Sequence, residues 1–547
     1  MLRSFDPLFD PFVASASPEA LIAKLEAVAT ALGDEAFAKR LAHEILAQTR
    51  PEEAIPEPYA RYRAVVRDGI EFFLVQVNRK RLVALAASQL QLNPAISPQE
   101  RLVELAKQFP TLHKLGQFIA RNPNLDPGVK KWLIHLENGI YGTSSEGIVE
   151  RIGRQALSTD RGGRVQIQPP MLSEASVGAV MRFRWYRASS PEPIEGVFKV
   201  LKPGIRRRLG EELVILAKTA AFFESNRRRY PFRDFRFLEV FQEVRSMLAH
   251  EIDLTAEQTY LAEAMDFYSD MAAIQIPQRL PFSTETMTAM AYLRGPKITD
   301  AVLKPRQAER LAGVLFEALV CRPLFGRQAS SLFHGDPHAG NILVVEDPDS
   351  GELRIGLLDW TLAGHLKRSD RVKTAQLMQA VIKMDLGSIH RAIKALTLSA
   401  PWDGAAPRNP FRELIRDLVN DPAFGQLSQI KKTFKLLEEL AYDGFVFPAD
   451  LMLFRKAIFT LEGVIHDLFP LFDMDAAVIR YLTTLIASEL PSRIGNLFYP
   501  LADKPENYPS LISNYELQSL LVHQYIEAVG AGYRTLGRYL LDWGRVF

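Results

Sequence analysis

A single cysteine, Cys321, stands among 547 residues. No intramolecular disulfide can form and no thiolate cluster can hold a metal, which fits a reducing compartment. Excess charge is equally scarce, since 66 Lys and Arg against 64 Asp and Glu leave +2. That balance excludes the concentrated basic surplus of a nucleic-acid binder, and the runs Arg206-Arg207-Arg208 and Arg227-Arg228-Arg229 read as solvated faces. Long apolar runs are missing too. The stretch Leu311 to Phe325 is broken by Glu317 and falls short of the ~20 residues that cross a bilayer. Asp6 and Asp10 occupy the place where an export signal needs an apolar core. These absences predict a cytoplasmic chain, with peripheral contact as its remaining route to an inner membrane. What is present, 47% apolar and 24% charged residues, suits globular domains, and the length calls for two or three at ~100 to 200 residues each.

Helix signals open the chain. Ser17-Pro18-Glu19, an apolar stripe from Leu21 to Leu32 and Gly33 give an N-cap, a first-turn proline and a terminating glycine. Ser97 with Glu100 is spaced for a capping box ahead of Leu102, Leu105 and Phe109, with Pro110 closing the run. The texture changes between about Arg164 and Gly204. Val165 to Ile167, Val177 to Trp185 and Val197 to Leu201 are short β-branched and aromatic runs, which predict an antiparallel meander. A long helical stretch from about Gly210 to Tyr268 follows, then a strand at Thr286 to Tyr292 and a helix near Gln307 to Val320. Two strands, Ile342 to Val345 and Leu353 to Leu358, flank the turn at Asp347 to Gly351. From about Arg371 onward the pattern is helical again. The predicted organisation is a helical region over 1–155, a mixed lobe with a helical insertion over 156–295, and a second lobe with a helical extension over 296–547.

The densest chemical signal is His334-Gly335-Asp336-Pro337-His338-Ala339-Gly340-Asn341, followed by Leu357-Leu358-Asp359-Trp360. Asp336 and Asn341 keep the D-x-x-x-x-N spacing of a kinase catalytic loop, and Asp359 ends the next strand. Phosphoryl transfer needs a group that orients the attacking oxygen and hard oxygen ligands that hold Mg²⁺ against phosphates. Asp336 suits the first need; Asn341 and Asp359 suit the second. Lys199, on the meander's third strand beside Val197 and Leu201, supplies a cation for the α/β-phosphates. The loop from Leu172 to Val180 has one glycine, Gly178, where a protein kinase has G-x-G-x-x-G, so its backbone is less free to approach a phosphate. Glu251 continues the helical stripe of Phe237, Val240, Phe241, Val244 and Leu248, and Asp253 and Glu257 are four apart. The alternative is a helix that ends near His250, with Asp253 capping the next. Lys114 and Gln117, at i and i+3, share one helix face.

Taken together, these residues resemble the UbiB family of atypical kinase-like proteins, which includes the mitochondrial ADCK proteins. The family's signatures occur in order: K-x-G-Q at Lys114 to Gln117, an alanine-containing loop at Ser173 to Gly178, and the strand lysine Lys199 running into Lys202-Pro203-Gly204. E-x-D follows at Glu251 to Asp253, then D-P-H-x-G-N at Asp336 to Asn341. The resemblance covers roughly residues 100 to 365. It implies an α+β, two-lobed protein-kinase-like fold with helical extensions at both ends, with ATP and Mg²⁺ as cofactors. Lys199 is implied to pair with Glu257, and Ala175, Ser176 and Gly178 to cover the phosphates. The adenine is implied to meet the backbone between Ala291 and Leu293, and the K-x-G-Q helix to lie near Glu251 and Asp253 in a regulatory role. Slow Mg-dependent ATPase activity in support of ubiquinone or other prenyl-lipid metabolism is the implied function, with a quinone precursor or prenyl lipid as partner. The departures are Asp359-Trp360-Thr361 in place of D-F-G and a loop poorer in alanine.

Two alternatives remain open at this point. His334-Gly335-Asp336 with Asp359-Trp360 fits an aminoglycoside- or choline-type small-molecule kinase equally well, although that class has no need of Lys114 to Gln117 or Glu251 to Asp253. A nucleotide-gated, non-catalytic scaffold for lipid or protein is the other. The closing stripe of Leu517, Leu520, Leu521, Tyr525 and Val529 suits core packing, lipid or a homodimer.

Overall fold

A computed structural model describes residues 17–55, 57–93, 95–109, 111, 145–156, 163–174, 177–187, 190–230, 237–400 and 410–523. The chain divides into two units, Met1–Ala256 with Arg279–Tyr292, and Glu257–Gln278 with Leu293–Phe547.

The first unit opens with helices α1 (Pro18–Leu32), α2 (Asp34–Thr49), α3 (Arg63–Val75), α4 (Arg79–Leu90), α5 (Pro98–Lys107) and α6 (Ser145–Ala156). Their ends form as the local chemistry dictates. The Ser17 side chain accepts from Ala20 N–H, and Gly33 takes a positive φ of 79° past the last turn of α1. Ser97 and Glu100 form the reciprocal capping box of α5. Leu21, Leu25, Phe37, Leu41, Phe73, Leu82, Leu105 and Phe109 share one apolar core with Leu209 and Leu216 of α7 (Ile205–Ser225) and Leu248 of α8 (Phe237–Glu251).

The meander is present as β1 (Gly163–Glu174), β2 (Gly178–Arg187) and β3 (Ile194–Leu201). With β5 (Met287–Ala291; the short β4, Ile274–Gln275, belongs to the second unit) they make an antiparallel sheet of order β1-β2-β3-β5. Directly opposed residues share a face, and faces alternate along each strand. One face buries Ala179, Met181, Phe183, Trp185, Phe198, Val200, Met287 and Ala289, with Ile148 and Ile152 of α6 packed against it. The opposite face carries Val180, Lys199 and Thr288 in one row. The long predicted helix is in fact three. α7 ends at Ser225, α8 at Glu251, and α9 (Leu254–Phe267) starts afresh behind an Asp253 cap.

The second unit continues α9 and adds α10 (Pro305–Phe316), after which a π-helical turn, Glu317–Cys321, carries the chain to β6 (Ser330–His334). β7 (Ile342–Glu346) and β8 (Leu353–Leu357) pair antiparallel, and β4 adds to β8 in parallel. Between them, Asp347 Oδ1 accepts from Asp349 and Ser350 N–H, and Gly351 takes positive φ, which closes the predicted turn. β6 pairs antiparallel with β9 (Ala363–Lys367). Helices α11 (Arg368–Ile382), α12 (Leu386–Leu396), α13 (Pro410–Asn420), α14 (Gln429–Tyr442), α15 (Ala449–Leu468) and α16 (Met474–Leu497) complete it. The fold class is therefore α+β with helical extensions at both ends. Among the described residues no helix is long and apolar enough to cross a membrane.

Candidate active site

Two loops of the second unit hold three of the expected site residues, Asp336, Asn341 and Asp359: residues 335–341 between β6 and β7, and residues 358–362 between β8 and β9. Both leave their strands at the same end, because Ile342 pairs with Leu357 and His334 with Ala363. The loops are laced together by their main chains. Leu358 N–H donates to the Asn341 carbonyl at 2.9 Å, and Gly335 N–H to the Leu362 carbonyl at 2.8 Å. Gly335 is required at that crossing, since a Cβ there would lie 2.9 Å from the Leu362 oxygen.

His334, buried at the end of β6, is the hub. Its Nδ1 accepts from Asp336 N–H at 3.2 Å, so the ring proton sits on Nε2, which donates to the Leu358 carbonyl at 2.9 Å. Burial holds this imidazole below its usual pKa, outweighing the pull of the Leu358 carbonyl, Asp336 and Asp359. One neutral ring thus fixes the residue that carries the first aspartate and the residue just before the second. Asp336 is held further through its carbonyl, which accepts from Asn341 Nδ2 at 3.2 Å and His338 N–H at 2.9 Å. His338 Nε2 lies 4.0 Å from the Asp336 carboxylate.

Asp359 adopts a left-handed backbone, φ 55°, a conformation that costs a non-glycine residue free energy and recurs at functional sites. Its Oδ1 accepts from Thr361 N–H at 3.2 Å and from the Thr361 hydroxyl. Thr361, the departure from D-F-G, is therefore a clamp on the carboxylate. Trp360 is fully buried, with its ring 4.8 Å from His334 and 6.2 Å from Tyr268.

Asn341, 9% exposed, spends its amide NH₂ on Asp336, which leaves Oδ1 as its hard oxygen donor. Asp359 adds carboxylate oxygen. That pairing fits Mg²⁺, which binds one or two protein oxygens and takes the rest of its shell from phosphates and water. Among the described residues no group of three or more His, Cys, Asp and Glu side chains could hold a metal unaided, so phosphate would have to complete the shell.

The other expected residues fall as follows. In the first unit, Lys199 is partly buried on β3 opposite Val180 and Thr288. Gly178 opens β2 where a Cβ would lie 2.9 Å from the Val200 oxygen, so a side chain is excluded. Ala291 ends β5 opposite Gly196. Glu251 is the last residue of α8, and Asp253 accepts from Ala256 N–H at 3.0 Å as the cap of α9. In the second unit, Glu257 is buried in the first turn of α9, and Leu293 packs with Leu343, Val345 and Leu358. Lys114, Gln117, Ala175 and Ser176 lie outside the described residues. Sequence reasoning missed His334 and the role of Thr361. Only the His334-Gly335-Asp336 triplet hinted at the first.

The ABC1 atypical kinase-like domain model matches residues 166–393. A probable protein kinase UbiB of Cellvibrio japonicus is 24% identical over 410 residues, covering 71% of this chain and 69% of its own. Another, of Xanthomonas campestris, is 25% identical over 457 residues, 79% of this chain and 76% of its own. Among solved structures, a Mycobacterium tuberculosis protein in complex with erythromycin aligns with 69% of this chain and 93% of its own, at 17% identity and a TM-score of 0.42.

Proposed function

Because the chain carries an ABC1 atypical kinase-like domain and is related to the UbiB proteins, we propose that it binds Mg·ATP and hydrolyses it slowly in support of ubiquinone or other prenyl-lipid metabolism. The observation that carries this reading is the lacing of the two loops through His334, which brings Asp336, Asn341 and Asp359 to one end of the second unit. In the proposal, Asp336 orients the attacking oxygen, and Asn341 and Asp359 hold the magnesium ion that neutralises charge on the phosphates. Lys199 takes the strand cation's role toward the α/β-phosphates, and Glu257 keeps the carboxylate role that the UbiB resemblance implies. Glu251 and Asp253, with Lys114 and Gln117, keep the regulatory role that the UbiB resemblance implies.

The test is ATP hydrolysis by purified full-length protein, with and without vesicles containing prenyl lipid. Turnover stimulated by the vesicles and reduced ~10²-fold or more in Asp336→Asn is expected, the usual scale for losing a positioned acid–base group. Turnover that survives the substitution sinks the assignment of Asp336. In parallel, Mg·ATP at about 100 times Kd should stabilise the wild type by ~2.7 kcal/mol and leave the melting temperature of Asp359→Asn unmoved. An equal rise in both overturns the magnesium assignment. Rapid, stoichiometric phosphorylation of an amino alcohol or aminoglycoside would replace the ATPase reading with that of a small-molecule kinase.

A further inference from the structure

The first unit's sheet ends in a buried charge pair for which the proposed chemistry has no use. Lys202, one residue past β3, places Nζ 2.6 Å from Oε1 of Glu174, the last residue of β1, and the two side chains are only 6% and 2% exposed. Register decides which side of the sheet Glu174 belongs to. It opposes Ala179, which opposes Val200, which opposes Met287, whereas Ser173, Val180, Lys199 and Thr288 form the next row. Since rows alternate faces, Glu174 lies on the apolar side and Lys199 on the other. A carboxylate in that apolar row is costly without a cation and hydrogen bonds, and Lys202 supplies the cation.

The same spot is fastened twice more. Lys202 N–H donates to the Val177 carbonyl at 2.9 Å, and Val177, Leu201, Ile205 and Leu254 pack as a small apolar cluster. The chain leaving β1 and the chain entering β2 are therefore both tied to the end of β3, on either side of residues 175 and 176. Small apolar residues could close the sheet more cheaply, because a buried ion pair often stabilises less than an apolar pair of similar volume. What the charges add is a single arrangement in which both are satisfied.

We propose that Glu174 and Lys202 are a positioning pair for the nucleotide. From the face opposite Lys199, they tie the end of β1 to the end of β3 beside the start of β2 and so set ATP affinity without touching phosphate. This rests on the ATP-binding reading above. The test uses the full chain and measures Mg·ATP Kd by titration with a fluorescent ATP analogue, alongside KM and kcat. Lys202→Met should weaken Kd and raise KM about tenfold, or ~1.4 kcal/mol, with kcat at saturation within about threefold of wild type. Lys202→Arg, which keeps the charge, should recover most of the affinity. A folded Lys202→Met with wild-type Kd overturns the proposal, and so does a fall in kcat at unchanged Kd. Should the single variant not fold, Glu174→Leu/Lys202→Met, which leaves no charge to bury, carries the test: lost affinity in a folded protein supports the pair, and wild-type affinity refutes it. A wild type that binds no ATP removes the ATP reading and this inference together, whereas equal binding by wild type and variant removes this inference alone.

Discussion

The first unit's helices and the second unit's two loops hold a carboxylate by different means. Glu212 of α7 is fully buried and is consumed by its partners. Arg81 donates to one oxygen, and the Thr111 N–H and hydroxyl donate to the other at 3.1 and 2.7 Å. Asp336 is instead fixed through its main chain, by His334, His338 and Asn341, and its side chain keeps 22% exposure. A carboxylate that only braces the fold can be spent on its neighbours. One proposed to meet a substrate keeps its place better when its position survives a change of partner at the carboxylate itself.

The largest effect expected from that contrast is structural. Glu212→Ala strands two Thr111 donors in the core and leaves Arg81 with the weaker partners Gln108 carbonyl and Glu211 in place of its closest carboxylate. Removing one member of a buried pair costs about 3 to 5 kcal/mol, so the first unit's denaturation midpoint should fall sharply. A loss below about 1 kcal/mol by urea titration would mean that the network braces little. Asp336→Asn should show the reverse pattern, near-native stability with collapsed turnover.

His334 sharpens the comparison through pH. The folded ring titrates below the ordinary histidine value of about 6.5 because burial disfavours the cation. Below about pH 6.5 the unfolded chain binds a proton that the folded chain refuses. This contribution is therefore intact above that pH and is lost as pH falls toward the depressed folded pKa. Gln at 334 has a donor and an acceptor but no titration in this range. His334→Gln should match or slightly trail the wild type in melting temperature at pH 8 and gain on it steadily toward pH 5. Parallel curves over that range would show that the imidazole is not held neutral.

Most helices and the meander were legible because their signals are local. Ser17-Pro18, the Ser97–Glu100 box and the short β-branched runs each lie within a few residues of what they specify. The spacing of Asp336, Asn341 and Asp359 was legible for the same reason. Features that depend on distant pairing were not. β6 and β9 are five-residue strands that pair only with each other across the intervening hairpin, so neither shows a pattern strong enough to read alone. His334 acts on Leu358, 24 residues away, and Glu174 reads as a loop residue until Lys202 is folded against it. The breaks in the long predicted helix did have local signals, Pro231 and the capping Asp253, which the continuous apolar stripe outweighed.

The smallest effect tests Asp359, a loop carboxylate clamped by side chain as well as by main chain. Thr361→Ala removes the hydroxyl that bonds Asp359 Oδ1 and keeps the Thr361 N–H bond. A single such hydrogen bond contributes about 0.5 to 1.5 kcal/mol, so if it holds Asp359 for the ion, Mg·ATP affinity should weaken between about twofold and tenfold, with unfolding stability falling by no more than that amount. Thr361→Ser, which keeps the hydroxyl, should restore it. If the hydroxyl only shaped the turn, stability would fall and affinity would hold, and Asp359 would then belong with Glu212 as a brace. Tightened binding in Thr361→Ala would instead show the clamp competing with magnesium for Asp359.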